Sequence, residues 1–245
     1  MHAYFIRAIL FDLGGTLMYA KDPWLPVLAR ADRALADSLY AQGLQLDCDG
    51  FHEEFRSRLR KYYDARDADL FETTTTSVLR SLLDEKGYQD VSEKVIRFAL
   101  DARYTVTQSN WLLEDDAIST LEILQNTGHR LGIISNAGDN KDVFQLVDKF
   151  GIEPYFDFIL TSAACSYRKP HVRIFELALA HWGMPPREAA MVGDSLEADI
   201  KGANQAGIYS IWITRRVDEA IIKIDIQPST TISALHELPG LLSGL

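Results

Sequence analysis

The chain has 245 residues, 47% of them hydrophobic and 24% charged, enough apolar material for one large soluble domain or two small ones. Its net charge of −10 comes with no long basic run, which disfavours nucleic acid and anionic membrane surfaces as partners. An anionic ligand therefore has to be held by local charge or by a cation.

In chain order, Ala8-Ile9-Leu10-Phe11 is a short apolar run of the kind that forms a buried strand. Gly14-Gly15 stops it, which leaves Asp12 at a strand's end. From Pro23 to about Asn110 the period is helical throughout. Leu28, Ala31, Leu35 and Leu39 make one stripe, and Phe51, Phe55, Leu59 and Tyr62 a second. Leu79, Leu82 and Leu83 make a third, and Val95, Phe98, Ala99 and Ala102 a fourth, with Gly43 and Gly87 placed as helix stops.

After Trp111 the pattern alternates. A helix over about 114–128 leads to a strand at 131–134 that closes on Ser135-Asn136. A helix at 141–150 precedes a strand at 158–160, and 171–182 is helical. A strand at 189–192 ends at Gly193-Asp194, followed by a helix at 197–206 and a strand at 209–213. Such alternation implies an α/β fold with a doubly wound parallel sheet. The first strand belongs to that sheet, so the helical block is an insertion. The expected division is a core of residues 1–18 and 112–245 and an α-helical cap of 19–111.

Cys48 and Cys165 stand outside any CxxC pattern, which argues against a disulfide framework or zinc knuckle and fits a reducing cytoplasm. No stretch approaches the roughly 20 apolar residues of a membrane span. Met1-His2-Ala3-Tyr4 leads directly into the first strand, so neither a leader nor an anchor is expected. The histidines show no metal-ligand spacing, and neither a P-loop lysine motif nor a GxGxxG turn is present.

In an open parallel sheet, ligands bind at the strands' carboxyl ends, where strand order reverses. Asp12, Ser135 with Asn136, and Asp194 all follow apolar strands. Plainer explanations exist for each. Asp12 could cap a turn, Ser135 could cap a helix, and Asp194 with Glu197 has capping-box spacing with Asp199 one turn in. If Asp12, Asp194 and Asp199 share one crevice, their repulsion must be relieved by protons or a cation, and oxygen ligands with room for water point to Mg²⁺. Lys169, before Pro170, is either solvated at a helix start or folded inward against those acids.

Taken together, Asp12-Leu13-Gly14-Gly15-Thr16, Ser135-Asn136, Arg168-Lys169-Pro170, and Gly193-Asp194-Ser195 with Asp199 resemble, in order and context, the four motifs of the haloacid dehalogenase superfamily of hydrolases. The resemblance spans the chain, helical cap included. It implies that Asp12 is the nucleophile and a Mg²⁺ ligand, that Gly14 offers its backbone carbonyl to the metal, and that Thr16 steadies the loop. It implies further that Gly15, Thr16, Ser135 and Asn136 meet the transferred group, and that Lys169 neutralises the nucleophile. Asp194 would ligate Mg²⁺ directly and Asp199 through water.

One departure matters. Phosphatases of this family usually carry a second Asp two residues after the nucleophile, as general acid and base, and here that position is Gly14. Such a group is typically worth about 10² to 10⁴ in rate. The resemblance implies a Mg²⁺-dependent phosphatase of a small phosphorylated metabolite, weakened unless the cap or substrate supplies the proton. A carboxylate introduced at residue 14 is expected to raise activity on alkyl phosphates if the loop tolerates it. The family's 2-haloacid dehalogenases also lack the second Asp, but they dispense with the metal-binding acid that Asp194 would keep. Its phosphonoacetaldehyde hydrolases need a cap lysine, for which Lys61, Lys86 and Lys94 are available, each more simply a solvated helix face. A non-catalytic member that binds a phosphorylated ligand or a protein is the remaining alternative. In the cap, Arg56 and Arg60 could meet a second anionic group, or form a charged outer face beside Glu53 and Asp64.

Overall fold

The computed structural model describes residues 5–217 and 225–244. The expected lead-in Met1-His2-Ala3-Tyr4 lies outside them. Strand β1 (Ala8–Phe11) is followed by the short strand β2 (Met18–Ala20) and four helices, α1 (Trp24–Ala41), α2 (Cys48–Asp69), α3 (Thr75–Glu85) and α4 (Glu93–Gln108). Strand β3 (Trp111–Leu113) pairs antiparallel with β2 and closes the insertion. Then come α5 (Ala117–Asn126), β4 (Arg130–Ser135), α6 (Asn140–Lys149), β5 (Phe158–Thr161), α7 (Ser162–Cys165) and α8 (Val172–Trp182). The chain ends through β6 (Ala189–Gly193), a π-helical turn at Leu196–Ile200 that runs into α9 (Lys201–Ala206), β7 (Tyr209–Ile213), β8 (Thr230–Ile232) and α10 (Leu238–Leu242).

The main sheet has six strands in the order β5-β4-β1-β6-β7-β8, all parallel. Alternate side chains of β1 serve opposite faces, as a two-residue period requires. Ile9 and Phe11 pack with Ile133, Val192 and Ile211 under α5 and α6, whereas Ala8 and Leu10 pack with Ile134 and Met191 under α8 and α9. Burial on both faces explains why these strands are unbroken apolar runs in the sequence.

The insertion has its own core, made of Leu35 and Leu39 from α1, Phe51, Phe55 and Leu59 from α2, Leu79, Leu82 and Leu83 from α3, and Ile96, Ala99 and Leu100 from α4. The third stripe is as read from the sequence, and so are the first two except at one end each: Val27 is buried where Leu28 is expected, Leu28 lining a cavity instead, and Tyr62 is half-buried with its hydroxyl on Glu72. The fourth is rotated by about one position, because Ile96, Leu100, Arg103 and Tyr104 are buried while Phe98 is 48% exposed. Gly43 and Gly87, both at positive φ, lie just beyond α1 and α3.

Other departures concern short elements. Residues 70–74 are not helical: Phe71 makes an isolated bridge with Tyr167 across to the core. Glu114 does not open α5, since its carboxylate is instead held by Arg215 and Arg216. Strands β2, β3 and β8 have three residues each, too few for a period to register. The expected boundaries at 18/19 and 111/112 fall within the β2–β3 ribbon.

Candidate active site

Three adjacent strands deliver the polar residues. Asp12 follows β1, Ser135 is the last residue of β4, and Asp194 follows β6. The chain moves from β1 to β4 and β5 on one side and returns to β6 on the other, so the loops diverge above β1 and leave a crevice. There a cavity of about 420 Å³ is lined by Asp12, Gly14, Ser135, Asn136, Lys169, Asp194 and Asp199.

Lys169 ties these elements together. Its Nζ lies 2.6 Å from Asp12 Oδ1, donates to Ile134 O at 2.9 Å, and forms an ion pair with Asp199 Oδ1 at 2.6 Å that lacks hydrogen-bond geometry. Asn136 holds the lysine's backbone: its Oδ1 accepts from Lys169 N at 2.8 Å and its Nδ2 donates to Lys169 O at 2.9 Å. Arg168, beside it, is buried against the Glu72 carboxylate, which also accepts from Ser162 Oγ at 2.5 Å and from Tyr62 OH at 2.7 Å. Glu72 joins the helical insertion to the core next to the site, and Thr75 N donates to Gly138 O at 2.8 Å beside it.

The helix-capping explanation for Asp194 does not hold. Ser195 is the cap, its Oγ accepting from Ala198 N at 3.1 Å, and Asp199 Oδ2 accepts from Ser195 N at 3.0 Å. Asp194 is left to the cavity. Two close backbone approaches shape this corner: a β-carbon at Gly15, where φ is +85°, would overlap the Asp194 carboxylate, and one at Gly193 would overlap Asp199. Gly15 and Thr16 do not line the cavity, a correction to the expectation that they meet the substrate. Thr16 does not steady the loop through its hydroxyl either, because Oγ1 is buried and without a partner. The loop is held by its backbone, with Gly15 N donating to Met18 O at 2.6 Å and Leu17 N to Leu13 O at 3.0 Å.

Oxygens of Asp12, Asp194 and Asp199 all lie within 4.8 Å of one another. Burial pushes the Asp12 carboxyl up to about 6 against the pull of Lys169, with Asp199 adding repulsion. Burial, then repulsion by Asp12 and Asp199, pushes Asp194 up to about 8. Burial alone would lower Lys169, but Asp12 and Asp199 hold it above the usual lysine range. When all three are ionised, three carboxylates against one ammonium leave an excess of two negative charges, and an all-oxygen donor set of this kind suits a hard dication such as Mg²⁺. In the other acidic cluster, Glu114 to Asp116, each carboxylate is already paired with Arg215, and Glu114 with Arg216 as well.

The insertion supplies the rest of the wall, including Tyr63, Thr75, Arg103, Tyr104 and Thr107, with Trp111 from β3. None of these was singled out from the sequence. Arg103 had a signal, a cation in register with the buried face Ile96-Leu100 of α4. Lys61, Lys86 and Lys94 do not line the cavity, which removes the feature a phosphonatase-like reading needs. Arg56 is not on a charged outer face: its Nε donates to the buried Asp32 at 3.0 Å, while Arg60 is exposed.

The family described as haloacid dehalogenase-like hydrolase matches residues 6–207. A protein named glyceraldehyde 3-phosphate phosphatase from Methanocaldococcus jannaschii is 28% identical over 98% of each chain. One named ribulose-1,5-bisphosphate 5-phosphatase from Halopiger xanaduensis is 30% identical over 96% of this chain and 99% of its own. Among solved structures, a 2-haloacid dehalogenase from Pseudomonas syringae superposes with a TM-score of 0.70 at 25% identity, over 98% of this chain and 99% of that one. Among the described residues, no helix is long and apolar enough to cross a membrane.

Proposed function

Because the chain belongs to the haloacid dehalogenase-like hydrolases, we propose that it is a Mg²⁺-dependent, cytoplasmic phosphatase of a small phosphorylated metabolite, with Asp12 as nucleophile and the insertion 19–111 as its cap. The observation that carries this reading is the Asp12 carboxylate facing the cavity, 2.6 Å from Lys169 Nζ and grouped with Asp194 and Asp199. The phosphatase-named relatives support the same leaving-group chemistry.

Asp12, Asp194, Asp199 and the Gly14 carbonyl would hold Mg²⁺, whose role is to neutralise the acids and the phosphoryl oxygens. An Asp12 carboxylate oxygen attacks phosphorus, a bond forms between them, and the bond from phosphorus to the leaving oxygen breaks. Lys169 balances charge on the phosphoryl oxygens and the Ser135 hydroxyl donates a hydrogen bond to them. Water then attacks the aspartyl phosphate and releases phosphate, returning Asp12 as a carboxylate. Asn136 acts by fixing Lys169. The leaving oxygen must obtain its proton from elsewhere than residue 14.

The test is phosphate release from acetyl phosphate and an activated aryl phosphate, with and without Mg²⁺. Turnover that requires Mg²⁺ and falls by at least about 10⁴ in Asp12→Asn is expected; no release above that variant's background overturns the reading. A second reading is favoured by one observation, the apolar indole of Trp111 against Gly14, since displacement of halide needs no proton donor. Metal-independent halide release from a 2-haloacid would select it.

A further inference from the structure

Arg103 sits in the buried seam of α4, 5% exposed, and reaches the cavity. Its Nε donates to Asp32 Oδ1 at 3.0 Å, while the other oxygen of Asp32 accepts from Arg56 Nε at 3.0 Å. Neither η-nitrogen of Arg103 has a partner among the described residues. The guanidinium is thus fixed at Nε, with its Cζ 5.4 Å from the Tyr104 ring centroid, and its η-edge opens on the cavity, where a ligand oxygen can accept from it.

Asp142 lines the same cavity from the first turn of α6. Its Oδ1 accepts from Gln108 Nε2 at 2.7 Å, and its Oδ2 has no partner among the described residues. Burial pushes the Asp142 carboxyl up to about 6; Gln108 opposes this, Asp139 adds to it, and the charges of Arg103 and Arg97 pull it down.

The cations in and behind this wall already have carboxylates. Arg56 and Arg103 share Asp32, Arg97 is paired with Asp139 at 2.7 Å and with Asp101 at 2.9 Å, and Asp142 lines the wall together with Arg103. A second anionic group on the substrate therefore finds no net attraction. A hydroxyl fits, because it can donate to Asp142 and accept from Arg103, and a carbonyl oxygen can accept both η N–H groups. The Tyr104 and Trp111 rings on the same cavity offer apolar faces to a carbon chain.

We propose that the free η-nitrogens of Arg103 and Oδ2 of Asp142 recognise hydroxyl or carbonyl oxygens on the non-reacting part of the substrate. They select phosphate monoesters of short hydroxylated carbon chains over unsubstituted alkyl phosphates. The inference rests on the phosphate-ester reading above and deepens it.

The test is calorimetric binding to full-length Asp12→Asn protein with Mg²⁺, so that it does not depend on turnover. Glycerol 3-phosphate and propyl phosphate share a skeleton and differ in two hydroxyls. Glycerol 3-phosphate is expected to bind at least about tenfold more tightly. Added Arg103→Lys or Asp142→Asn should each cut that ratio to about threefold or less, with propyl phosphate affected by the smaller factor. A general loss of folding would move both ligands together. Should Arg103→Lys fail to fold beside Asp32, the near-isosteric Asp142→Asn decides alone. Equal affinities, a ratio retained in both variants, or no binding of either phosphate overturns the proposal. A clear preference in a wild-type protein that releases no phosphate would instead sink the phosphatase reading and leave the recognition standing.

Discussion

The Trp111 indole lies against Gly14 so closely that a β-carbon added at residue 14 would come within 2.9 Å of its Cη2. The same indole packs edge-on against Trp24, with ring centroids 4.9 Å apart. The space in which a general acid would stand is thus filled by a ring that another ring braces.

Gly14→Asp alone is therefore expected to lose about 1 to 3 kcal/mol of stability through overpacking, with no gain on alkyl phosphates. Gly14→Asp combined with Trp111→Leu has room for the carboxylate and is expected to gain about tenfold or more in kcat on an alkyl phosphate. Urea denaturation and steady-state phosphate release on the two variants check this. A single variant that folds normally and gains activity would refute the steric account.

The acidic cluster ties stability to pH and metal. Asp194, raised to about 8, and Asp12, raised to about 6, keep protons in the metal-free native state that the unfolded chain has released. Between their unfolded values, near 3.8, and those folded values the unfolded state binds fewer protons, so stability conferred by the protonated form is lost as pH rises. Metal-free protein is expected to lose thermal stability between about pH 4 and pH 8, and Asp194→Asn should flatten the fall. Saturating Mg²⁺ at pH 8 should raise the melting temperature by about 5 to 10 °C. Calorimetric melting across pH, with EDTA or Mg²⁺, measures both effects; identical curves would refute them.

Gly15→Ala places a methyl group where the Asp194 carboxylate now lies, at a φ of +85°. Displacement of Asp194 should weaken Mg²⁺ affinity by about tenfold, and the left-handed backbone should cost about 1 kcal/mol. The two effects separate in a Mg²⁺ titration of activity and a melt in EDTA.

Glu72→Gln leaves the buried Arg168 guanidinium without its counter-charge beside Lys169. Loss of about 3 kcal/mol is expected from chemical denaturation, because an unpaired buried charge costs more than the pair contributes. Glu72→Gln/Arg168→Met, which removes both charges, should recover part of it. A single variant as stable as the parent would show that the joint carries no such strain.

Much of the fold is written in local periodicity. The two-residue and 3.6-residue patterns, the glycine stops and the runs buried on both faces imply the parallel sheet and the inserted helices. The side chains that follow β1, β4 and β6 are legible as a site, since a parallel sheet with a reversal in strand order brings those ends together. Lys169, Asp194 and Asp199 could be named as an acid–base cluster, yet each had an equally local explanation as a cap or a solvated charge. Only the packed chain shows Ser195 as the cap and Lys169 turned inward. The same holds for the indole at Gly14 and for Arg103 and Asp142, which are 39 positions apart in sequence and face one cavity. The sequence alone determines which short segments must hide apolar surface, because that depends on neighbours three or four residues away. Which polar atoms lose their water, and what then satisfies them, depends on contacts between remote segments, and tertiary structure alone decides it.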